Sequence, residues 1–234
     1  IMKYPNFNEE KKLWKKGYKF VAGLDEAGRG PLAGPVVAAA VSVRRDPTSQ
    51  KLHASFKEVG SLLLKVKDSK KLNAKQREEI YEALIKHPQV SWGVGIVSEK
   101  VIDKINILGA TKLAMRRSII SLVFSIGDRQ YRCLPDFLLI DGNFKINSAC
   151  LPTGRQKSVI KGDQKVFSIA AASIIAKVTR DKIMQKYHKK YPQYGFAKHK
   201  GYGTKAHFAS LKKFGPCKIH RKTFYPVSEF INLS

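Results

Sequence analysis

The sequence predicts an α/β domain that ends in a helical, strongly basic region. Three observations carry that reading. Short apolar runs stop at acidic residues or glycine-rich turns, as strands entering loops do. Longer stretches between them repeat their apolar residues with the 3.6-residue period of a helix. Strands early, helices interspersed and helices late then argue for an α/β domain with a helical appendage.

Residues 1–18 read as a polar lead-in or short helix. The apolar runs at 20–24 and 35–43, separated by a Gly/Pro turn, read as a β-hairpin or two neighbouring strands. Residues 44–66 are basic and polar, contain Pro47 and Gly60, and show no period, so they are expected to form a long loop. Asn73 is placed to cap a helix over 74–85. Residues 90–97 alternate as a strand, Ser98 is placed to cap the next segment, and 107–123 have the period of an amphipathic helix. A buried-type strand at 137–140 delivers Asp141, and residues 158–160 deliver Lys161, Gly162 and Asp163 in the same manner. An alanine-dense helix over 166–187 follows, and one more helix is expected at 204–214.

The charge narrows the partner. Among 234 residues, 44 Lys and Arg against 18 Asp and Glu leave a net charge of +26, which points to a polyanion, chiefly nucleic acid. A ribosomal-type structural protein, an acidic membrane surface or a generally lysine-rich proteome are the plainer explanations. Cys133, Cys150 and Cys217 have no metal-site spacing and read as reduced thiols of a cytosolic protein. No signal peptide is visible, because Glu9, Glu10 and a lysine cluster occupy the region where an apolar stretch is needed. The longest apolar stretches, around 119–126 and 169–176, are too short to span a bilayer.

The chemistry concentrates at three strand-like ends: Asp25-Glu26, Asp141 and Asp163. Aligned strand ends bring such residues to one edge of a sheet. Four carboxylates without cations repel one another, so the cluster implies two divalent ions, or one ion and a lysine. Hard Mg²⁺ or Mn²⁺ suits all-oxygen ligands, whereas zinc prefers the His or Cys that these segments lack. Two such ions activate a water and stabilise the leaving oxygen of a phosphoryl displacement. Gly28, Arg29 and Gly30 follow the acid pair, and their arrangement lets backbone N–H groups and a guanidinium fork approach a phosphate.

These residues resemble a known family. The run Asp25-Glu26-Ala27-Gly28-Arg29-Gly30-Pro31-Leu32-Ala33-Gly34-Pro35 resembles the opening signature of ribonuclease HII. The segments beginning at Asp68 (Asp-Ser-Lys-Lys-Leu), Leu139 (Leu-Ile-Asp-Gly-Asn), Lys161 (Lys-Gly-Asp), Ala171 (Ala-Ala-Ser-Ile-Ile-Ala-Lys) and Tyr194 (Tyr-Gly-Phe-Ala-Lys-His-Lys-Gly-Tyr-Gly-Thr) recur in family order, from about residue 20 to 227. The resemblance implies an RNase H-like fold, a mixed five-stranded sheet flanked by helices, with a helical basic C-terminal extension. Residues 19–190 would form the catalytic domain, and 191–234 a substrate-binding extension packed on it. It further implies an enzyme that cuts the RNA strand of RNA–DNA hybrids. Members also incise 5′ of single ribonucleotides in duplex DNA, leaving 3′-hydroxyl and 5′-phosphate ends.

By position, Asp25, Glu26, Asp141 and Asp163 resemble the family's metal-binding carboxylates, for Mn²⁺ or Mg²⁺. Gly28, Arg29 and Gly30 resemble the backbone-rich motif that reads the RNA–DNA junction, and Tyr202 the tyrosine that stacks on the following deoxyribose. The short lead-in favours this family over the sister ribonuclease HIII, which usually carries a separate N-terminal domain. A monomer is implied. A sliding-clamp partner is left open, since residues 228–234 contain Phe230 but no clear clamp-binding box.

Other residues are weighed on their own chemistry. Ser173, Lys177, Arg180 and Asp181 share one helix face, and Lys177 and Arg180 are candidates for phosphate contact. Asp181 competes with Asp163 as fourth ligand; Asp163 is preferred on its motif. Lys70 and Lys71 begin a helix, where the dipole disfavours them, and are assigned to the nucleic-acid backbone. His199 and His207 are expected on a basic surface, and Tyr191, Tyr194 and Phe196 in packing roles. The competing functions are a basic RNase H-like module that binds without cutting, and a junction resolvase of the same fold. Retention of all four acids favours the nuclease acting on RNA–DNA hybrids.

Overall fold

Five strands form a single mixed sheet in the order β3-β2-β1-β4-β5: Val21–Ala27 (β1), Val36–Val43 (β2), Val90–Val97 (β3), Phe137–Asp141 (β4) and Gln156–Val159 (β5). Strand β2 runs antiparallel to both β1 and β3, β4 joins β1 in parallel, and β5 joins β4 in parallel. The computed structural model describes residues 5–43, 72–125, 134–146 and 155–232. The expected 44–66 loop, Lys70, Lys71, Cys133, Cys150 and residues 147–154 of the connection before β5 lie outside the described residues.

Helices cover both faces. Asn8–Lys15 (α1), Ala74–Lys86 (α2), Glu99–Ser125 (α3) and Phe167–Lys190 (α4) flank the sheet. Strand β2 reads Val-Val-Ala-Ala-Ala-Val-Ser-Val and is buried along its whole length, which its apolar residues on both faces allow. Its alternation divides the core. Ala39, Val41 and Val43 pack with α4 and α2, while Val36, Ala38 and Ala40 pack with Ile102, Ala114, Met115 and Leu122 of α3.

The helix starts follow local chemistry. Asn73 caps α2 through a reciprocal box: its Oδ1 accepts from Gln76 N at 2.9 Å, and Gln76 Oε1 accepts from Asn73 N at 3.1 Å. Helix α3 breaks at Asn106 (φ 58°), whose side chain accepts from Gly109 N at 3.0 Å and restarts the helix beside the predicted boundary at residue 107. The N-terminal segment is tied to the domain: Glu10 accepts from the Ser168 amide and hydroxyl, and Leu13 packs with Val21, Leu139 and Ile169.

Phe196–His199 (α5), Lys205–Phe214 (α6) and Val227–Asn232 (α7) build the C-terminal region. Its core is Tyr194, Phe196, Leu211, Ile219 and Val227, closed against Leu32 and Ala33 of the β1–β2 turn and Met184 of α4. The region therefore sits on the loop that follows the acid pair, and the far half of α4 is its floor. No helix among the described residues is long and apolar enough to cross a membrane.

Candidate active site

Parallel pairing of β1 with β4 sets Leu24 opposite Ile140. The next residues, Asp25 and Asp141, therefore emerge side by side at one edge of the sheet. Strand alternation turns Asp25 toward α4, where the Ser173 hydroxyl donates to it, and its neighbour Glu26 toward the other face. The Glu26 amide donates to Asp25 Oδ1 at 2.7 Å, and Arg29 Nη1 lies 3.3 Å from Glu26 Oε1.

Asp163 arrives by a different route from the one expected. It does not end a strand: β5 stops at Val159, Lys161 takes a left-handed conformation (φ 55°), and Asp163 sits in the 3₁₀ turn Gly162–Gln164. That turn is fastened to β4, since the Gly162 amide donates to Asp141 Oδ1 at 2.6 Å. A Cβ at Gly162 would lie 3.2 Å from that oxygen and 2.7 Å from Ile169 Cδ1, so a side chain there would displace Ile169 and crowd the carboxylate. Asp163 is buried and lines the same cavity as Asp25, Glu26 and Asp141. Asp181, its competitor, is instead paired with Lys177 at 2.8 Å and does not line the cavity.

The cavity has a volume of about 530 Å³, and its walls also include Gly28, Arg29, Gly30, Lys177 and Tyr202. Tyr202 is 45% exposed and stands opposite Gly30, 3.7 Å from where a Cβ would be. Arg77, Lys161 and Ser173 line it too, although the sequence reading did not choose them as site residues. Ser173 carried only a face assignment, and Arg77 and Lys161 are single basic residues among 44.

Arg180 corrects the expectation of a phosphate contact. It is 1% exposed, and its guanidinium donates to the carbonyls of Pro35, Ala33 and Lys200 at 3.0–3.1 Å. Burial lowers its pKa to about 10. Arg221, absent from the sequence reading, does the same for the glycine turn. It donates to Gly28 O at 2.5 Å, Arg29 O at 2.8 Å and Gly34 O at 3.0–3.1 Å, and is fully buried. In a trans peptide the carbonyl and the following N–H point opposite ways. With the Gly28 and Arg29 carbonyls turned in to Arg221, the Arg29 and Gly30 amides turn away from it. Gly28 has φ +98°, and a Cβ there would fall 2.1 Å from Arg180 Nε, so no other residue fits between the two guanidiniums.

The electrostatics ask for a cation. Burial first, then Glu26 and Asp141, push Asp25 well above the ordinary carboxylate range. Burial likewise raises Glu26, against the pull of Arg29, and raises Asp141, against the Gly162 amide. Glu26 Oε2 is buried and has no hydrogen-bond partner among the described residues. An orphaned buried oxygen within a set of mutually repelling acids fits a hard divalent ion. No three of the described His, Cys, Asp and Glu side chains form a ready metal cage. Oxygen-only ligands of this kind suit an ion such as Mg²⁺, which keeps several waters beside one or two carboxylates.

Comparison with known proteins identifies the family. The family model described as ribonuclease HII matches residues 22–227. A ribonuclease HII of Chlamydia muridarum is 52% identical over 218 residues, covering 93% of this chain and 87% of the relative. The solved ribonuclease H2 of Pyrococcus horikoshii superposes with a TM-score of 0.66 at 28% identity, over 91% of this chain and 97% of that one. The RNase HII of Archaeoglobus fulgidus, solved in complex with PCNA, gives 0.63 at 25% identity, over 88% and 95%. Sequence and fold thus agree from β1 to the last helix, and the chain belongs to the ribonuclease HII family, endoribonucleases that degrade the RNA strand of RNA–DNA hybrids.

Proposed function

We propose that this enzyme, beyond degrading RNA–DNA hybrids, incises 5′ of single ribonucleotides embedded in duplex DNA, leaving 3′-hydroxyl and 5′-phosphate ends. The observation that carries the proposal is the sharing of one cavity by the four acids, the 28–30 turn and Tyr202. A 2′-hydroxyl is what separates a ribonucleotide from its deoxy neighbours, and it both donates and accepts. The outward Arg29 and Gly30 amides, with no Cβ on Gly30, can approach it and the adjacent phosphates. The ring of Tyr202 offers a flat surface to the next sugar, where deoxyribose fits and a second hydroxyl is crowded.

Asp25, Glu26, Asp141 and Asp163 would hold two Mg²⁺ or Mn²⁺ ions. When bound, these ions supply an activated water and stabilise the leaving oxygen. Ser173 orients Asp25, and the Gly162 amide orients Asp141. Lys177 presents positive charge at the cavity wall for the phosphate backbone. Lys70 and Lys71 are assigned the same task from their sequence position. The helical region 191–234 serves as the substrate-binding extension of the 19–190 domain, with 1–18 as lead-in. The family resemblance supports a monomer, and the unpatterned cysteines support a cytosolic setting. Phe230 packs into the C-terminal core, which speaks against its serving as a free clamp-binding anchor.

The test is an end-labelled DNA duplex carrying one ribonucleotide, incubated with Mg²⁺, with Mn²⁺ and with EDTA. A metal-dependent nick immediately 5′ of the ribonucleotide is expected, absent from all-DNA duplex and from Asp141→Asn protein. Cutting of long hybrids but not of this duplex would refute the single-ribonucleotide activity. Binding without a nick on either substrate would indicate a non-catalytic module.

A further inference from the structure

Behind Tyr202 lies a buried pair of histidines that the catalytic reading does not use. His207 is 0% and His220 2% exposed, and their Nε2 atoms are 3.0 Å apart. Their tautomers follow from the neighbours. The Tyr202 carbonyl, 2.9 Å from His207 Nδ1, can only accept, so Nδ1 of His207 carries its proton. A neutral His207 then offers Nε2 as an acceptor, and His220 Nε2–H must donate to it. That leaves His220 Nδ1 to accept, and the Cys217 amide donates to it at 2.9 Å. One orientation serves the closest contacts, Cys217 N–H to His220, His220 to His207 and His207 to Tyr202, and leaves unused the longer 3.3 Å approach of the Cys217 carbonyl to His220 Nδ1.

A proton added to His207 would set two N–H groups facing each other across 3.0 Å. Burial strips water from a charged ring, which separately favours the neutral forms and lowers both pKa values to about 4. A third ring joins the support. His199 stacks on His207 at 4.5 Å, accepts from Gly201 N and donates to Tyr194 O. The Tyr202 amide donates to His199 O at 2.9 Å. The backbone of Tyr202 is thus held on both sides while its ring projects 45% exposed at the cavity.

We infer that His207 and His220 are positioning residues for Tyr202, acting as a one-way hydrogen-bond relay that fixes the tyrosine ring against the sugar beside the ribonucleotide. The inference rests on the reading of Tyr202 given above. It predicts that loss of the relay harms incision at single ribonucleotides, where one stacking contact decides recognition. Long hybrids, held by many phosphate contacts, depend on it less.

The experiment is a double-mutant cycle on kcat/KM with both substrates. His207→Phe keeps the ring volume and removes the side-chain donor to the Tyr202 carbonyl, leaving it the Thr204 amide at 2.9 Å. It is expected to lower kcat/KM on the single-ribonucleotide duplex by about a hundredfold, the scale of an ångström-sized misplacement. His207→Asn, whose amide nitrogen replaces Nδ1, is expected to restore most of that loss. In a Tyr202→Ala background, His207→Phe should add little. Multiplicative losses, with Tyr202→Ala itself impaired, would overturn the positioning role alone. A Tyr202→Ala variant as active as wild type would overturn the reading of Tyr202, and the inference with it. Should His207→Phe fail to fold, ¹⁵N spectra of the wild-type imidazoles decide. Neutral rings at pH 7 with the proton on Nδ1 of His207 and Nε2 of His220 support the relay, and the opposite tautomers or a charged ring refute it.

Discussion

Arg221 donates to the carbonyl of Gly28, 193 positions earlier in the chain, at 2.5 Å. Among the described residues no carboxylate forms an ion pair with this guanidinium, although Asp103 and Glu99 act on it through space; four hydrogen bonds to backbone oxygens and the ring of Phe224 at 4.9 Å hold it. Burial, with Arg180 close by, lowers its pKa to about 9. The glycine turn is therefore shaped from behind by a cation that never meets substrate.

Arg221→Lys should show what the fork contributes beyond charge. A lysine keeps the charge but cannot satisfy Gly28, Arg29 and Gly34 together. The expected loss of stability is about 3 kcal/mol, since several buried carbonyls are left without donors. Denaturant unfolding checks this, and KM for the single-ribonucleotide duplex should rise in variant protein that remains folded.

Asp141→Asn should separate stability from activity. Removing one charge relieves repulsion with Asp25, Glu26 and Asp163, while the amide oxygen still accepts from Gly162. In EDTA the melting temperature is expected to rise by a few degrees. Cleavage should fall at least about a hundredfold, and the stabilisation conferred by Mg²⁺ should shrink. A variant that melts below wild type in EDTA would contradict the charge repulsion.

The histidine pair makes a prediction about pH. Its folded pKa values of about 4 lie below the ordinary 6.5, so the unfolded chain takes up protons first as pH falls. Stability from this pair is fully present above 6.5 and is lost as pH drops from there toward 4. The raised site acids act oppositely, because their protonation in the folded state offsets part of the loss. The informative quantity is the difference in melting temperature between wild type and His220→Phe, which should narrow as pH falls through that window.

Lys177 tests the electrostatic grip. Nucleic-acid affinity should fall steeply with salt, with a slope in log–log form of about −0.9 per phosphate neutralised on duplex DNA. Lys177→Ala should reduce that slope by about one unit. Arg180→Gln, by contrast, should leave the slope unchanged and lower the melting temperature, because Arg180 contacts carbonyls rather than phosphate.

What the sequence disclosed follows from what periodicity can carry. Apolar runs ending in acid located Asp25, Glu26 and Asp141, since a strand end aims its next residue outward. Asp163 was recognisable as a motif, but a left-handed residue and a 3₁₀ turn leave no apolar pattern, so its route was misread. Arg180 shows the opposite limit. Helical spacing correctly set it on the face of Ser173 and Lys177, yet spacing does not reveal what covers that face. Near Ser173 it is open to the cavity; near Arg180 it lies beneath Ala33 and Lys200. His207 was expected on the surface because a neutral, paired ring is indistinguishable in sequence from a solvated one. The close sequence relatives were legible because motif order survives where such local details do not.

Helix α4 runs unbroken from Phe167 to Lys190, with Ser173 against Asp25 at one end of that span and Met184 under Leu32 and Tyr194 further along. At a rise of about 1.5 Å per residue, those two footings are separated by roughly 16 Å of rigid rod. On the proposed reading, the part that severs the strand and the part that senses its sugar are thereby mounted on one calliper. Their spacing is set by helical geometry rather than by a hinge, so that reading expects the cut at a constant offset from the sugar that is felt. One residue inserted between Ser173 and Met184 would turn the far jaw by about 100° and lose that offset altogether.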